Sequence, residues 1–203
     1  AKGAAYFATH HYPLYRELYQ RLAKGQNPHA MVIACSDSRI SIGQLFGANV
    51  GDLFVLRTAG LMIPKYGTHL GGEQATIEFA VKKLAVKDII LLGHTDCGVV
   101  NALLNPKLVD PCEMPALAHM LATCGDPPAK RKRVSKVGSA GVAAKRPRES
   151  RESRFTRGHL LRQLETLQAY PFIRDCPQLK LHGCVFDIQK GLVLRYEDHD
   201  GEF

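Results

Sequence analysis

Met31-Val32-Ile33-Ala34-Cys35-Ser36-Asp37-Ser38-Arg39 and Asp88-Ile89-Ile90-Leu91-Leu92-Gly93-His94-Thr95-Asp96-Cys97-Gly98 share one plan: a short apolar run that gives way to a metal-ligating side chain. Apolar runs of this length, bounded by polar residues and glycine, read as short buried strands. Strands are therefore predicted over 31–34 and 88–92, with Cys35 and His94 where each strand gives way to a loop. Working outward, a helix is predicted over 41–46, a second strand over 53–57, and a helix over 72–84 with Ala75, Phe79, Val81 and Leu84 on its apolar face. A helix over 98–104 starts beside Cys97. Strands alternating with helices at these spacings point to an α/β fold whose mostly parallel central sheet is flanked by helices through right-handed crossovers. Sites in such sheets form at the carboxyl ends of strands, which is where these residues fall.

Two thiols and an imidazole, Cys35, His94 and Cys97, suffice to hold one Zn2+. Closed structural zinc sites take four side-chain ligands, whereas a set of two cysteines and one histidine leaves a fourth position open for chemistry. Each residue alone has a plainer reading, as a buried thiol or a core histidine. Asp37-x-Arg39 adds weight, because a carboxylate and a guanidinium set so close to a thiol are costly to bury without a purpose. Asp37 is placed to accept a hydrogen bond from a water on the metal and orient it, and Arg39 to hold Asp37 by a two-pronged ion pair. A helix starting at Gly98 would favour a thiolate at Cys97. Two thiolates give the metal negative charge and weaken its acidifying effect, so neighbouring groups must compensate.

Cys35-Ser36-Asp37-Ser38-Arg39 with Gly93-His94-x-x-Cys97-Gly98 resembles the β-class carbonic anhydrases, and the similarity runs from about residue 12 to 196. Leu22-Ala23-Lys24-Gly25-Gln26-Asn27-Pro28 and Gly51-Asp52-Leu53-Phe54-Val55-Leu56-Arg57 fit the branch of plant enzymes and the bacterial cyanate-linked enzyme. The resemblance implies reversible hydration of CO2 to bicarbonate on one zinc per chain, with Asp37 and Arg39 as a catalytic dyad. It also implies a closed form in which the aspartate takes the place of water on the metal. Gln26, Phe54 and Phe79 fall where relatives line the CO2 or bicarbonate pocket, often across a subunit boundary, so a homodimer or homotetramer is expected. The Gly98 N–H would serve as a donor to a substrate oxygen. The chain departs from its relatives in four places. Phe79 stands where plant relatives have tyrosine, and reads equally as a core aromatic. Thr58 and Leu61 replace two asparagines, and Cys184 replaces an aromatic.

The 203 residues suit one unit spanning 1–203, with 45% apolar content and no stretch near the roughly 18 apolar residues of a membrane span. Neither a signal pattern nor a disulfide framework is read from the N-terminus or the six cysteines, so a reducing cytoplasm is expected. The net charge of +8 raises nucleic acid as a partner, but its position argues against it. Residues 127–157 carry eleven Lys/Arg and two Asp/Glu, which leaves the rest of the chain near neutral. That basic insert, about 127–153, is broken by glycine and proline and holds no aromatic, so it reads as a solvated loop rather than a nucleic-acid surface.

An N-terminal helical arm, about 1–27, carries Tyr6, Tyr15, Leu18, Tyr19 and Leu22 at mostly helical spacing around Pro13, for packing on a neighbour. A helix over 154–169 presents Leu160, Leu161, Leu164 and Leu167 on one side. Segments 179–188 and 192–196 close the chain as an antiparallel strand pair around Gln189-Lys190-Gly191. Two other functions fit the same residues. The first is hydrolysis of carbonyl sulfide or carbon disulfide on the same zinc. The second is a zinc-stabilised binding protein acting through the basic insert, with salt-dependent affinity for nucleic acid. His29, His69 and His119 are candidates to exchange the reaction's proton with buffer.

Overall fold

A computed structural model describes residues 2–67, 70–124 and 150–196. The chain opens with α1 (Lys2–Tyr6), a wide turn at Phe7–His11, a tight one at Tyr12–Tyr15 and α2 (Arg16–Leu22), and buries none of these residues. Then come β1 (Ala30–Cys35), α3 (Ile42–Phe46), β2 (Leu53–Thr58), α4 (Gly72–Glu78), β3 (Asp88–His94), α5 (Gly98–Leu104), α6 (Pro115–Cys124), α7 (Arg151–Gln168), α8 (Pro171–Arg174), β4 (Lys180–Asp187) and β5 (Leu192–Arg195). The sheet order is β2-β1-β3-β4-β5, parallel throughout except for the antiparallel β4–β5 pair. The fold is thus the α/β arrangement expected, closing strand pair included.

Every residue of β1 is buried, as a central parallel strand covered on both faces requires. Alternation divides its side chains between two cores. Met31 and Ile33 join Ile89, Leu91, Leu160 and Leu167 on one face of the sheet. Val32 and Ala34 join Leu92, Val100, Cys184 and Phe186 on the other. Each fully buried Leu or Ile contributes about 1.5–3 kcal/mol, so these layers fix the sheet and, with it, the strand ends. Gly183 on β4 allows α7 close in, since a Cβ there would meet Leu164 Cδ1 at 2.8 Å.

β1 connects to β2 on one side of the sheet and β3 connects to β4 on the other. The strand order therefore reverses between β1 and β3, and in open α/β sheets the crevice beyond the carboxyl ends at that point is where ligands bind. Both strands run further than the sequence suggested. Cys35 pairs with Thr58 and His94 with Phe186, so each is the last residue of its strand and inherits the rigidity of the sheet.

Two helices differ from expectation. α4 passes at Phe79 into a wider turn, Phe79–Lys83, and together they bury Gln74, Ile77, Ala80 and Val81, so that Val81 and, partly, Leu84 of the predicted face reach the core. Ala75 is exposed, and Phe79, 45% exposed, is not a core aromatic in this chain. Its ring lies 6.0 Å from that of Phe54. α7 starts at Arg151, three residues early, because Ser150 caps it by accepting from the Ser153 N–H. The last part of the predicted insert is thus helical, and its 127–149 portion lies outside the described residues. α6 and α8 are elements the sequence reading did not mark.

Candidate metal centre

Cys35 ends β1, His94 ends β3, and Cys97 caps α5 two residues after Thr95. Asp96 between them holds a φ of +56°, a left-handed step that turns the chain back from the strand into the helix. Thr95 anchors that turn, its N–H donating to Phe186 O at 3.0 Å and its Oγ1 accepting from the Ile188 N–H at 3.1 Å. All three candidate ligands are buried, and one donor atom from each lies within 4.8 Å of the others.

The Cys35 and Cys97 sulfurs are 3.9 Å apart. Two sulfurs bound about 2.3 Å from a tetrahedral zinc lie about 3.8 Å apart, so the pair has the spacing such an ion needs. Their closeness drives the acidities of the two thiols apart. Cys35 is pushed down to about 4, first by the hydrogen bond from Cys97 and also by His94, the Gly60 N–H and the Asp37 backbone, against its burial. Cys97 is pushed up by its hydrogen bond with Cys35 and by burial. The Val99 and Val100 N–H groups at the start of α5 do pull Cys97 down, as expected, but the larger effect of Cys35 reverses the outcome. A divalent cation would take both sulfurs as thiolates, releasing any proton they carry.

His94 Nδ1 donates to Thr95 O at 2.8 Å, a bond that fixes the ring. Its Nε2 is buried and has no hydrogen-bond partner among the described residues. A bare buried nitrogen is costly unless something binds it, and it lies 3.8 Å from Asp37 Oδ2. The donor set and its orphaned nitrogen fit zinc.

Asp37 accepts from Arg39 Nε at 2.9 Å and Nη2 at 2.7 Å, and from the Arg39 backbone N–H at 2.9 Å. These bonds hold its carboxyl well below the usual carboxylate range, the Arg39 side chain contributing most. Arg39 Nη2 also donates to Asp96 O at 3.0 Å, which links the loop after β1 to the turn after β3.

Three residues shape the site beyond those predicted. Arg57 donates to the backbone oxygens of Cys35, Asp37 and Ile40 at 3.1, 2.7 and 3.2 Å, stapling the loop that carries Asp37. Gly60 donates its N–H to Cys35 Sγ at 3.3 Å. His159, on α7, meets Gly60 O at 2.8 Å. The sequence signal for His159 was available: Thr156, His159 and Gln163 fall within the buried stripe of α7, where three polar side chains at helical spacing need partners.

A narrow cavity behind the ligands is lined by Cys35, His94, Cys97, Leu61 and His159 among others, and by none of Gln26, Phe54, Phe79 or Gly98. Gln26 and Gly98 are exposed, and Phe54 packs on the other face of the sheet from Val32 and Ala34. Of the two replaced asparagines, Leu61 is buried against the cavity and Thr58 is buried with Oγ1 unpaired among the described residues. Cys184 is a buried core thiol, its pKa pushed up by burial. His29 and His119 are exposed, neither lines the cavity, and His69 lies outside the described residues.

Residues 30–193 match the family model described as carbonic anhydrase. The chain is 36% identical over 194 residues to a carbonic anhydrase of Pseudomonas aeruginosa, covering 94% of this chain and 83% of that protein. It is 33% identical over 204 residues to carbonic anhydrase 1 of Escherichia coli O157:H7, covering 99% and 88%. Among solved structures it is similar to the β-carbonic anhydrase CcaA, with a TM-score of 0.83 at 30% identity, covering 100% of this chain and 88% of that one. Its fold also matches a tetrameric β-carbonic anhydrase of Sordaria macrospora, with a TM-score of 0.69 at 24% identity over 96% of this chain and 93% of that one.

Proposed function

The chain belongs to the β-class carbonic anhydrases, and on that premise we infer that it is an enzyme catalysing the zinc-dependent reversible hydration of carbon dioxide to bicarbonate and a proton. Cys35, His94 and Cys97 are the residues we propose to hold one zinc per chain, and the 3.9 Å sulfur spacing is the observation that carries this reading. When bound, the zinc supplies a Lewis acid that makes water a nucleophile near neutral pH. The ionised Asp37 carboxylate accepts a hydrogen bond from the attacking water and so aims its lone pair at the CO2 carbon. Arg39 keeps Asp37 in place through both guanidinium bonds, and Arg57 fixes the backbone that presents it. The Gly98 N–H is proposed as a donor to a substrate oxygen.

The named relatives favour CO2 hydration over hydrolysis of carbonyl sulfide or carbon disulfide, and over a binding role for the basic insert. Assembly as a homodimer or homotetramer is proposed from the exposed arm and from Val55 and Phe79, whose side chains are exposed in the single chain. Gln26, Phe54 and Phe79 would then complete a pocket in the partner copy. A cytoplasmic location is proposed from the free cysteines, and no helix of the described residues is long and apolar enough to cross a membrane.

Stopped-flow CO2 hydration on protein of known zinc content tests the function. Turnover should scale with zinc, vanish on chelation and return on reloading. Zinc-loaded protein without hydration activity would overturn the reading.

A further inference from the structure

α7 and the residues just after it hold the segment 60–64 through side chains set along one stripe. His159 Nε2 lies 2.8 Å from Gly60 O, Gln163 Oε1 accepts from the Ile63 N–H at 2.7 Å, and the Tyr170 hydroxyl donates to Pro64 O at 2.6 Å. A carbonyl oxygen only accepts, so His159 Nε2 carries the proton. Burial of the ring, which is 2% exposed, keeps it neutral.

The turn these bonds hold is a strained one. Gly60 has φ +67° and Leu61 φ +57°, the latter a left-handed conformation that costs of order 1–3 kcal/mol for a residue with a side chain. A turn of that kind persists only if its surroundings over-determine it. Val99, at the start of α5, closes one side, since a Cβ on Gly60 would meet Val99 Cγ1 at 2.5 Å. His159 holds the Gly60 carbonyl. The peptide group so held matters, because the Gly60 N–H is a backbone donor on Cys35 Sγ, beside the Asp37 backbone.

We infer that His159 is a positioning residue for the metal centre: by holding Gly60 O it aims the Gly60 N–H at Cys35 Sγ and limits how much charge that thiolate gives to a bound metal. The inference rests on the zinc reading above. A set of two thiolates and one imidazole weakens the metal's acidity, and an N–H···S bond withdraws part of the sulfur's charge, as outer hydrogen bonds to metal ligands do elsewhere.

Cobalt(II) exchanged for zinc in the full-length protein reports sulfur donation through its sulfur-to-metal charge-transfer bands. His159→Leu should move those bands to lower energy, raise the pH midpoint of CO2 hydration, and lower turnover at neutral pH by about 10-fold. His159→Gln, whose amide N–H can reach the Nε2 position, should keep the wild-type bands. Should the leucine variant fail to fold, His159→Asn takes its place, its shorter amide stopping short of Gly60 O; asparagine should shift the bands where glutamine does not. A role confined to stability would lower the melting temperature and leave the bands where they are in all variants, and that result overturns the inference. Wild-type protein that takes up cobalt without any sulfur charge-transfer band would instead overturn the zinc reading itself.

Discussion

Asp37 accepts three hydrogen bonds from Arg39 while its Oδ2 lies 3.8 Å from the bare His94 Nε2, so two positive partners compete for one carboxylate once a metal is bound. Arg39→Ala removes one of them. The carboxylate should then swing to the metal and take the position that water needs. The variant should keep one zinc per chain, lose hydration by orders of magnitude, and show an Asp37 oxygen on the metal by X-ray absorption. Near-normal turnover with water still on zinc would show that Arg39 does not hold Asp37 in this way. Gly60 answers to sterics instead. Gly60→Ala places a Cβ against Val99 at a left-handed φ, and should cost about 1–3 kcal/mol in urea unfolding. A loss within error would mean that the turn relaxes freely, against the clamp described above.

Within α7, burial pushes the His159 pKa down to about 4, from 6.5 in an unfolded chain. Between those values the unfolded chain binds the proton and the folded one does not, so this residue's contribution to stability is fully present above pH 6.5 and falls as pH drops toward 4. The total loss is about 3 kcal/mol. His159→Gln cannot take up that proton. The difference in unfolding free energy between wild type and variant should therefore move in the variant's favour from pH 7 to pH 4.5, and a pH-independent difference would mean the imidazole is not buried neutral. Gln163 carries a separate expectation. Its Oε1 satisfies the buried Ile63 N–H, so Gln163→Leu should cost about 1–3 kcal/mol while leaving the ligand set unchanged.

At the scale of the molecule, Tyr6, Phe7, Leu14 and Tyr15 stand exposed on the N-terminal arm, and Val55 and Phe79 on the sheet and the turn after α4. Apolar surface of this kind, on a chain whose proposed substrate residues do not reach the metal cavity, calls for a second copy. Light scattering should find a dimer or tetramer at assay concentration, and an active monomer would remove the case for a shared pocket. The charge of the chain is a separate matter, because residues 127–157 carry a net +9, leave the rest of the chain near neutral, and hold none of the proposed site residues. Deleting 130–146 should lower the isoelectric point and leave hydration largely intact. A large loss of turnover with the fold retained would give the insert a part in catalysis.

The sequence alone determined the parallel sheet, the closing hairpin and the donor set, because each depends on local pattern. Apolar runs of four or five residues make buried strands, and thiol and imidazole side chains carry their chemistry wherever they stand. The Asp37–Arg39 pair was legible for the same reason, its partners being two residues apart. Other features arise only when distant segments meet. The 3.9 Å sulfur spacing depends on β1 and β3 lying side by side and on the left-handed step at Asp96. Phe79 turns outward because Gln74, Ile77 and Val81, at ordinary helical spacing, take the buried face, a choice that packing against the sheet makes. The Cys97 thiol is pushed up, against the pull of α5, because only folding buries it and brings Cys35 close enough to outweigh that pull. Gly60 and His159 are 99 residues apart, so no reading of spacing could join them; the packing of α7 against the sheet makes that contact, and with it supports a backbone donor on Cys35.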